Sequence, residues 1–199
     1  TFDDANAGQY AHAMPALRAR GMTATVYAAI EWVGRPGFMT WDELRRIVDW
    51  GMSVQSHTYS HPFLSECDVD RLRLELSASK ERLDRELRQD TAEIAFPGGD
   101  PPRAALRDMI YESGYRVAVG TRWGRNTGQP VPGRFVKRCT VRGDISSALA
   151  RRYVHYDRWL AVSQIVKETP LRSLRATLGP SRYARWRRAA LDTVTGRGA

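Results

Sequence analysis

Segments typical of buried strands alternate with helix-like segments along the chain as far as Val119. The strand-like segments are rich in β-branched residues, and the segments between them carry apolar residues at helical spacing. Strands that alternate with helices pair in parallel through right-handed crossovers. The alternation therefore predicts an α/β fold, with the strands arranged as a parallel sheet or barrel.

Residue composition and the signals that start or end helices predict the bounds of the individual strands and helices. After a short strand at the N-terminus, the predicted strands are residues 22–30, 52–56, 92–96, 115–119 and 134–141. The predicted helices are residues 9–20, 41–50, 68–89 and 102–114, and the sequence is again typical of helices beyond residue 144. Thr40 and Glu43 have the spacing of a capping box, which marks the start of the second helix. Glycine and proline interrupt residues 123–133, which predicts a long loop.

The length of the chain allows one sizeable core. It has 199 residues, of which 42% are hydrophobic. We expect residues 1–145 to form this core and residues 146–199 to form a helical, arginine-rich extension that packs on the core or trails from it. Thr1 and Phe2 look like the end of a strand whose beginning is missing, and no initiator methionine precedes them. We therefore expect a truncated first strand in a piece of a longer protein.

The positive charge is concentrated near the C-terminus. The formal net charge is +9, and residues 170–199 contribute seven arginines against one acidic residue, a net +6. Leucines and Trp186 are interspersed with these arginines. The pattern is compatible with a basic amphipathic helix on an anionic membrane surface, or with a terminal helix that docks its leucine face on the core. No nucleic-acid-binding motif accompanies the charge, so we expect no nucleic-acid partner.

Cys67 and Cys139 are far apart in the sequence and have no CxxC spacing. They form neither a disulfide framework nor a zinc knuckle, and we expect two ordinary buried thiols. No apolar run reaches the roughly 18 residues of a membrane span, and no stretch resembles a signal peptide.

Two carboxylates and two histidines follow strand-like segments. Asp3 and Asp4, in TFDD, come directly after the first, and His57 and His61, in SHTYSHP, come after the segment 52–56. In parallel α/β folds the strand ends and the loops after them lie on one rim. We therefore expect these four side chains to face the same rim.

This combination is typical of a catalytic metal site. Histidines at i and i+4 can turn their rings towards one point. Two imidazole nitrogens and one carboxylate oxygen can bind zinc and leave a position open for water or substrate. Because neighbouring residues point in different directions, one of Asp3 and Asp4 can bind the metal while the other accepts a proton from water. Either motif alone would be weak, since an Asp-Asp pair is also common in turns.

The same stretches resemble the polysaccharide deacetylases of the NodB-homology type, carbohydrate esterase family 4. TFDD resembles the first motif of that family, which usually continues with glycine where this chain has Ala5. SHTYSHP closely resembles the second motif, and AFPGG, at residues 95–99, stands where the third motif lies. The resemblance extends from Thr1 to about residue 144.

The resemblance implies a distorted (β/α) barrel with a metal site at one rim. It implies that Asp3 is the general base. It also implies a divalent metal ion, most often zinc, with Asp4, His57 and His61 as its ligands.

The implied reaction is hydrolysis of an N-acetyl group on an amino-sugar polysaccharide or glycoconjugate. The implied substrate-binding and oxyanion residues are Pro97, Gly98 and Gly99, with the N–H of Gly98 or Gly99 as the donor to the oxyanion. Such substrates imply the cell envelope or another extracytoplasmic location, with the cytoplasm as the alternative.

Two departures from the family pattern affect the chemistry. The third motif often carries an arginine that orients the base, two residues before the proline, and this chain has Ala95 there. The last motif usually presents Leu-x-His as the general acid, and nothing in residues 135–144 matches it. His12 has the features of a surface residue, and we do not expect His155, on a late helix, to reach the rim.

Three functions are compatible with these residues. The first is carbohydrate N-deacetylation, and the second is hydrolysis of an amide in a small molecule on the same scaffold. The third is a glycan-binding protein that keeps the metal and has lost turnover. Trp32, Trp41 and Trp123 could each offer a flat face to a sugar ring, although packing is the commoner role of a tryptophan.

Overall fold

A computed structural model describes residues 1–141, 145–155 and 157–195. The strands are β1 Phe2–Asp3, β2 Thr25–Ala28, β3 Ser53–Ser56, β4 Glu93–Ala95 and β5 Val117–Val119. The helices are α1 Met14–Arg18, α2 Trp41–Asp49, α3 Val69–Leu87, α4 Asp108–Glu112, α5 Ser147–Val154, α6 Arg158–Leu178 and α7 Pro180–Thr195. A π-helical turn at Gln9–Ala13 precedes α1, and short 3-10 turns lie at Ile30–Trp32, Leu64–Glu66, Pro97–Gly99 and Ala104–Leu106.

The five strands form one parallel sheet in chain order, β1-β2-β3-β4-β5. Val26 lies beside Phe2 and Val54, and Ile94 lies beside Ser56 and Ala118. Each connection crosses in the same sense, so the sheet curls into half a barrel. This confirms the predicted distorted (β/α) barrel.

Two apolar clusters fix the helices to this sheet. One joins the first three strands to α1, α2 and the end of α3 and contains the fully buried side chains of Met14, Leu44 and Val54. The other joins the last two strands to α3 and α4 around Leu72 and Ile94. The apolar faces predicted from helical spacing are thus the faces that hold the strands in place.

The segment 134–141, predicted as a strand, is not one. Val136 alone forms a single parallel bridge with Val119. The backbone of Lys137 is bonded by a side chain instead, because Asn126 Oδ1 accepts its N–H at 2.8 Å and Asn126 Nδ2 donates to its carbonyl at 2.9 Å. The amide of Asn126 takes the place of a neighbouring strand, which ends the pairing after one residue.

The helix predicted at residues 102–114 is also shorter in the structure, since a 3-10 turn at Ala104–Leu106 replaces its first part and α4 covers only Asp108–Glu112.

The described chain divides into two compact units. The first comprises residues 1–120 and 128–136, and the second comprises residues 121–127 and 137–199, as far as these are described. In the second unit Trp123 is buried and packs against Tyr153, with ring centroids 4.8 Å apart and the rings tilted by 50°, in one apolar cluster with Leu160. A ring held in this way supports the packing alternative for Trp123. The predicted boundary between residues 145 and 146 stays a prediction.

Within the described part of the chain, no helix has the combination of length and apolar character needed to cross a membrane.

The predicted capping box at the start of α2 is present and can be tested by mutation. Thr40 Oγ1 accepts the N–H of Glu43 at 3.2 Å, and Glu43 Oε2 accepts the N–H of Thr40 at 2.8 Å. We expect Thr40→Ala to lower the free energy of unfolding by about 0.5–2 kcal/mol, because the backbone N–H of Glu43 loses its acceptor. Urea denaturation followed by circular dichroism measures this change. Thr23→Ala, at an exposed position outside any helix, is the control, and equal losses in both variants would contradict the assignment.

Candidate active site

The four predicted side chains come from the carboxyl ends of two strands. Asp3 is the last residue of β1 and Asp4 follows it, while His57 follows the last residue of β3. Between them lies β2, paired to both strands in parallel. The carboxyl ends therefore open at the same edge of the sheet, as parallel pairing requires.

Asp4, His57 and His61 converge on one point. Asp4 Oδ1 lies 3.4 Å from His61 Nε2 and 3.6 Å from His57 Nε2. One candidate ligand atom from each of the three residues lies within 4.8 Å of the other two. The structure thus brings together the three residues predicted as metal ligands, although Asp4 is more than fifty positions away from the two histidines in the sequence.

The spacing of these atoms fits a shared metal ion. Hydrogen bonds between nitrogen and oxygen have lengths of about 2.7–3.2 Å, and both distances from Asp4 are longer. Ligands about 2.0–2.2 Å from a tetrahedral zinc ion stand roughly 3.3–3.6 Å from one another. Asp4 Oδ1 is therefore spaced from each of the two imidazole nitrogens like a co-ligand. Two imidazoles and one carboxylate are also a donor set that zinc accepts.

The backbone of β4 fixes the orientation of His57. Its Nδ1 lies 2.8 Å from the carbonyl oxygen of Ala95. A carbonyl oxygen only accepts, so Nδ1 carries the proton and donates, which leaves the lone pair of Nε2 directed towards Asp4. Burial of the ring lowers the pKa of His57 and keeps the imidazole neutral, the form that binds a metal.

Asp4 occupies a backbone conformation that few residues adopt. Its φ is 74°, and that of the following Ala5 is 55°, both in the left-handed region. This turn directs the Asp4 carboxylate towards the histidines while Ala5 is fully buried. Burial acts to raise the pKa of Asp4, but His61 and His57 outweigh it, so the pKa lies below its ordinary value and the carboxylate stays ionised.

Asp3 lies beside this group without belonging to it. Its Oδ2 is 4.0 Å from His57 Nε2. Gln9 Nε2 donates to the Asp3 carbonyl at 2.7 Å, which fixes the backbone at the end of β1. The two aspartates therefore have different positions, as the sequence predicts for neighbouring residues with different tasks.

Trp32 contacts the site through a histidine. Its ring stacks on His61 with centroids 4.3 Å apart and also contacts Phe38 at 5.1 Å. The His61 and His57 rings meet edge to face at 4.9 Å. Trp32 therefore holds the His61 ring in place, a role that differs from the sugar-facing one considered for it.

The predicted oxyanion loop is the 3-10 turn Pro97–Gly99, directly after β4. Gly98 and Gly99 have φ values of 58° and 66°, which favour glycine. The N–H of Gly99 donates to the carbonyl of Phe96 at 2.8 Å. In this conformation the N–H of Gly99 is engaged inside the turn, and its use at an oxyanion would require the turn to rearrange.

Comparisons with known proteins agree with this geometry. The family model described as polysaccharide deacetylase matches residues 1–118. The chain belongs to the polysaccharide deacetylase family.

Individual relatives give the same result. YxkH of Bacillus subtilis (strain 168), a protein named as a polysaccharide deacetylase, is 29% identical over 124 residues, which are 62% of this chain and 44% of YxkH. The structure of the Streptococcus pyogenes deacetylase PplD in complex with acetate matches with a TM-score of 0.60 at 30% identity, over 62% of this chain and 55% of PplD. The polysaccharide deacetylase BC0361 of Bacillus cereus matches with a TM-score of 0.61 at 26% identity, over 68% of this chain and 43% of BC0361. The chain thus spans about half the length of these relatives.

The general acid of this polysaccharide deacetylase remains unassigned, because neither His12 nor His155 is assigned to that role. His12 is exposed in the turn before α1, and His155 is exposed at the end of α5, in the second unit. Of the histidines in the first unit, His57 and His61 lie at the group around Asp4. Glu75 supports the loop that carries the two histidines and was not among the predicted site residues. Its position within the apolar face of α3 could have indicated a buried carboxylate with a specific role.

Metal binding tests the ligand assignment directly. We expect the parent protein to bind one equivalent of Co²⁺ or Zn²⁺. We expect His57→Ala to lower the affinity by roughly 100-fold or more, since loss of a ligand costs more than the 10–100-fold typical of an outer-sphere change. Calorimetric titration measures both affinities. His12→Ala removes an exposed imidazole and serves as the matched control, and equal weakening in the two variants would exclude the proposed centre.

Proposed function

We propose that this protein is a metal-dependent hydrolase that removes N-acetyl groups from an amino-sugar polysaccharide or glycoconjugate. The observation that carries this proposal is the convergence of Asp4, His57 and His61, with Asp3 beside them. Membership of the polysaccharide deacetylase family indicates the reaction class. The arrangement has ligands for one ion and a further carboxylate for proton transfer, which is what amide hydrolysis requires.

The residues fit a divalent ion, and zinc is the ion we propose. The carboxylate of Asp4 and the Nε2 atoms of His57 and His61 would hold it. A bound divalent ion supplies Lewis acidity, which polarises an acetamide carbonyl and makes water more acidic.

Asp3 is the proposed general base. Its carboxylate lies at the edge of the ligand group, close enough to accept the proton of a water molecule that attacks the acetamide carbonyl. The turn Pro97–Gly99 borders the same edge through Ala95, whose carbonyl accepts from His57. We propose that this turn binds the acetamide group of the substrate.

The substrate class rests on relatives. The Streptococcus pyogenes deacetylase PplD, at 30% identity, is known in complex with acetate. Acetate is the product that hydrolysis of an N-acetyl group releases, which supports deacetylation over hydrolysis of a different amide. Acetylated amino-sugar polymers occur in cell envelopes, so we propose an extracytoplasmic site of action.

Acetate release tests this function. We expect release from an N-acetylglucosamine oligomer by the metal-loaded protein. Asp3→Asn should lower the rate by roughly 10²–10⁴-fold, the usual contribution of general base catalysis, with metal content unchanged. Asp42→Asn, at an exposed carboxylate on α2, is the control and should keep full activity.

Other outcomes identify the alternative functions. Release of acetate only from small acetylated amides would favour the small-molecule hydrolase. Metal and oligosaccharide binding without acetate release, across a panel of acetylated glycans, would favour the glycan-binding protein without turnover.

We also propose that the second unit contacts an anionic membrane surface. Trp159, Val162 and Val166 are exposed along one face of α6, and Trp159 is 79% exposed. Arg151 and Arg152 are exposed on α5, which precedes α6 in the chain, and Arg152 is paired with Asp157 at 2.8 Å. Apolar anchors beside arginines suit a surface whose lipids are anionic, where each basic residue contributes about 1 kcal/mol.

Vesicle sedimentation tests this contact. We expect binding to vesicles of equal parts phosphatidylglycerol and phosphatidylcholine, and little binding to pure phosphatidylcholine. The double variant Trp159→Ala/Val166→Ala should lose most of the bound fraction, because it removes two apolar anchors. Leu74→Ala, at an exposed leucine of α3, is the control. Undiminished binding by the double variant would contradict the proposal.

A further inference from the structure

Glu75 is a fully buried carboxylate in the middle of α3. It lies within the apolar face of the helix, between Leu72 and Ser79. Burial of a carboxylate costs several kcal/mol unless the group is both hydrogen-bonded and paired with a positive charge. The position therefore calls for specific partners, and they are found in the loop that carries the two histidines.

One carboxylate holds two successive residues of that loop. Glu75 Oε2 accepts the backbone N–H of Tyr59 at 2.9 Å and that of Ser60 at 2.8 Å. Glu75 Oε1 accepts the hydroxyl of Ser60 at 2.6 Å. The guanidinium of Arg71 lies 2.8 Å from the same oxygen and pairs its charge. The two backbone groups lie between His57 and His61, so Glu75 holds the segment that joins the two predicted ligands.

The loop conformation is costly without such support. Thr58 has a φ of 70° and His61 a φ of 63°, in the left-handed region. A residue with a side chain is strained in that region, because its Cβ approaches the following carbonyl oxygen. On the side opposite Glu75, the N–H groups of Ile30 and Glu31 donate to the carbonyls of Thr58 and Tyr59, at 3.2 and 2.8 Å. The loop is thus held by the 3-10 turn that follows β2 and by α3.

We propose that Glu75 is a positioning residue that sets the metal affinity of the site. It holds residues 57–61 in the conformation in which both imidazoles face Asp4, and it acts through backbone N–H groups of the loop. The inference rests on the metal site of the proposed function. It goes beyond that function because it assigns control of affinity to a residue outside the ligand group.

The test compares two carboxylate-to-amide variants on the same helix. Glu75→Gln keeps the size of the side chain but replaces one acceptor oxygen by a donor that faces Ser60 and Arg71. Asp84→Asn is the matched control, because Asp84 also accepts a backbone N–H, that of Thr91 at 2.6 Å, and also has a basic partner, Lys80 at 3.1 Å. Asp84 supports the turn after α3 and makes no contact with the histidine loop in the described contacts.

The readouts are Co²⁺ affinity, followed by visible absorption, and the melting temperature of the metal-free protein. We expect Glu75→Gln to weaken Co²⁺ binding by roughly 10–100-fold, the usual effect of losing support behind a metal ligand. Asp84→Asn should lower the melting temperature and leave the Co²⁺ affinity at the parent value. Parent-like affinity in Glu75→Gln, or equal weakening in both variants, would overturn the inference.

A second variant keeps the inference testable if Glu75→Gln does not fold. Ser60→Ala removes the hydroxyl contact and retains both backbone bonds to Glu75, so we expect a smaller loss of Co²⁺ affinity in the same direction. Parent-like affinity in this variant would then count against the inference. A parent protein that binds Co²⁺ but releases no acetate would contradict deacetylation alone. A parent that binds no Co²⁺ would contradict the metal site and the inference together.

Discussion

The site depends on the parallel pairing of β1, β2 and β3 in chain order. The pairs Phe2 with Val26 and Val26 with Val54 fix how far each strand extends towards the carboxyl edge. A shift of one residue in either register would turn alternate side chains to the opposite face of the sheet. The apolar clusters beneath the sheet hold this register, so packing far from the chemistry decides whether Asp4 and His57 meet.

Backbone strain in the described chain is concentrated at this edge. The described residues other than glycine with positive φ are Asp4, Ala5, Thr58, His61 and Arg88. Four of these five belong to the two segments that form the candidate metal centre. Such conformations persist only where surrounding contacts determine them. In the histidine loop those contacts are the N–H groups of Ile30 and Glu31, which donate to the loop, and the carboxylate of Glu75, which accepts from it. Part of the stability of the fold therefore offsets the strain that orients the histidines.

The sequence was sufficient for the features with a local or periodic signal. Strand and helix order, the capping box at Thr40 and the grouping of His57 with Asp4 at one rim all follow from spacing and from the geometry of parallel sheets. The structure shows the order of the elements and the capping box directly, and it brings the predicted metal ligands together. Their roles in binding and catalysis remain predictions, because no local pattern determines them.

Other features depend on contacts between distant residues, which spacing does not encode. The segment 134–141 has the composition of a strand, but the side chain of Asn126 takes the hydrogen bonds that a neighbouring strand would need. Glu75 shows the converse case. The spacing of leucines on α3 predicts which face of the helix is buried. The carboxylate of Glu75 on that face is explained only by the position of the histidine loop, whose N–H groups it accepts.

The side chain and the backbone of Ala95 make different contacts at the candidate site. The side chain of Ala95 packs with Tyr27 and Val119. It cannot orient Asp3 as the arginine that is frequent at this position in the family would. The backbone of Ala95 nevertheless accepts the proton of His57 Nδ1, and a carbonyl does this whatever side chain the residue carries. The support of His57, a proposed metal ligand, is therefore independent of the residue type at this position. The orientation of Asp3, the proposed base, is not, so we expect metal affinity and turnover to respond to different parts of the same strand end.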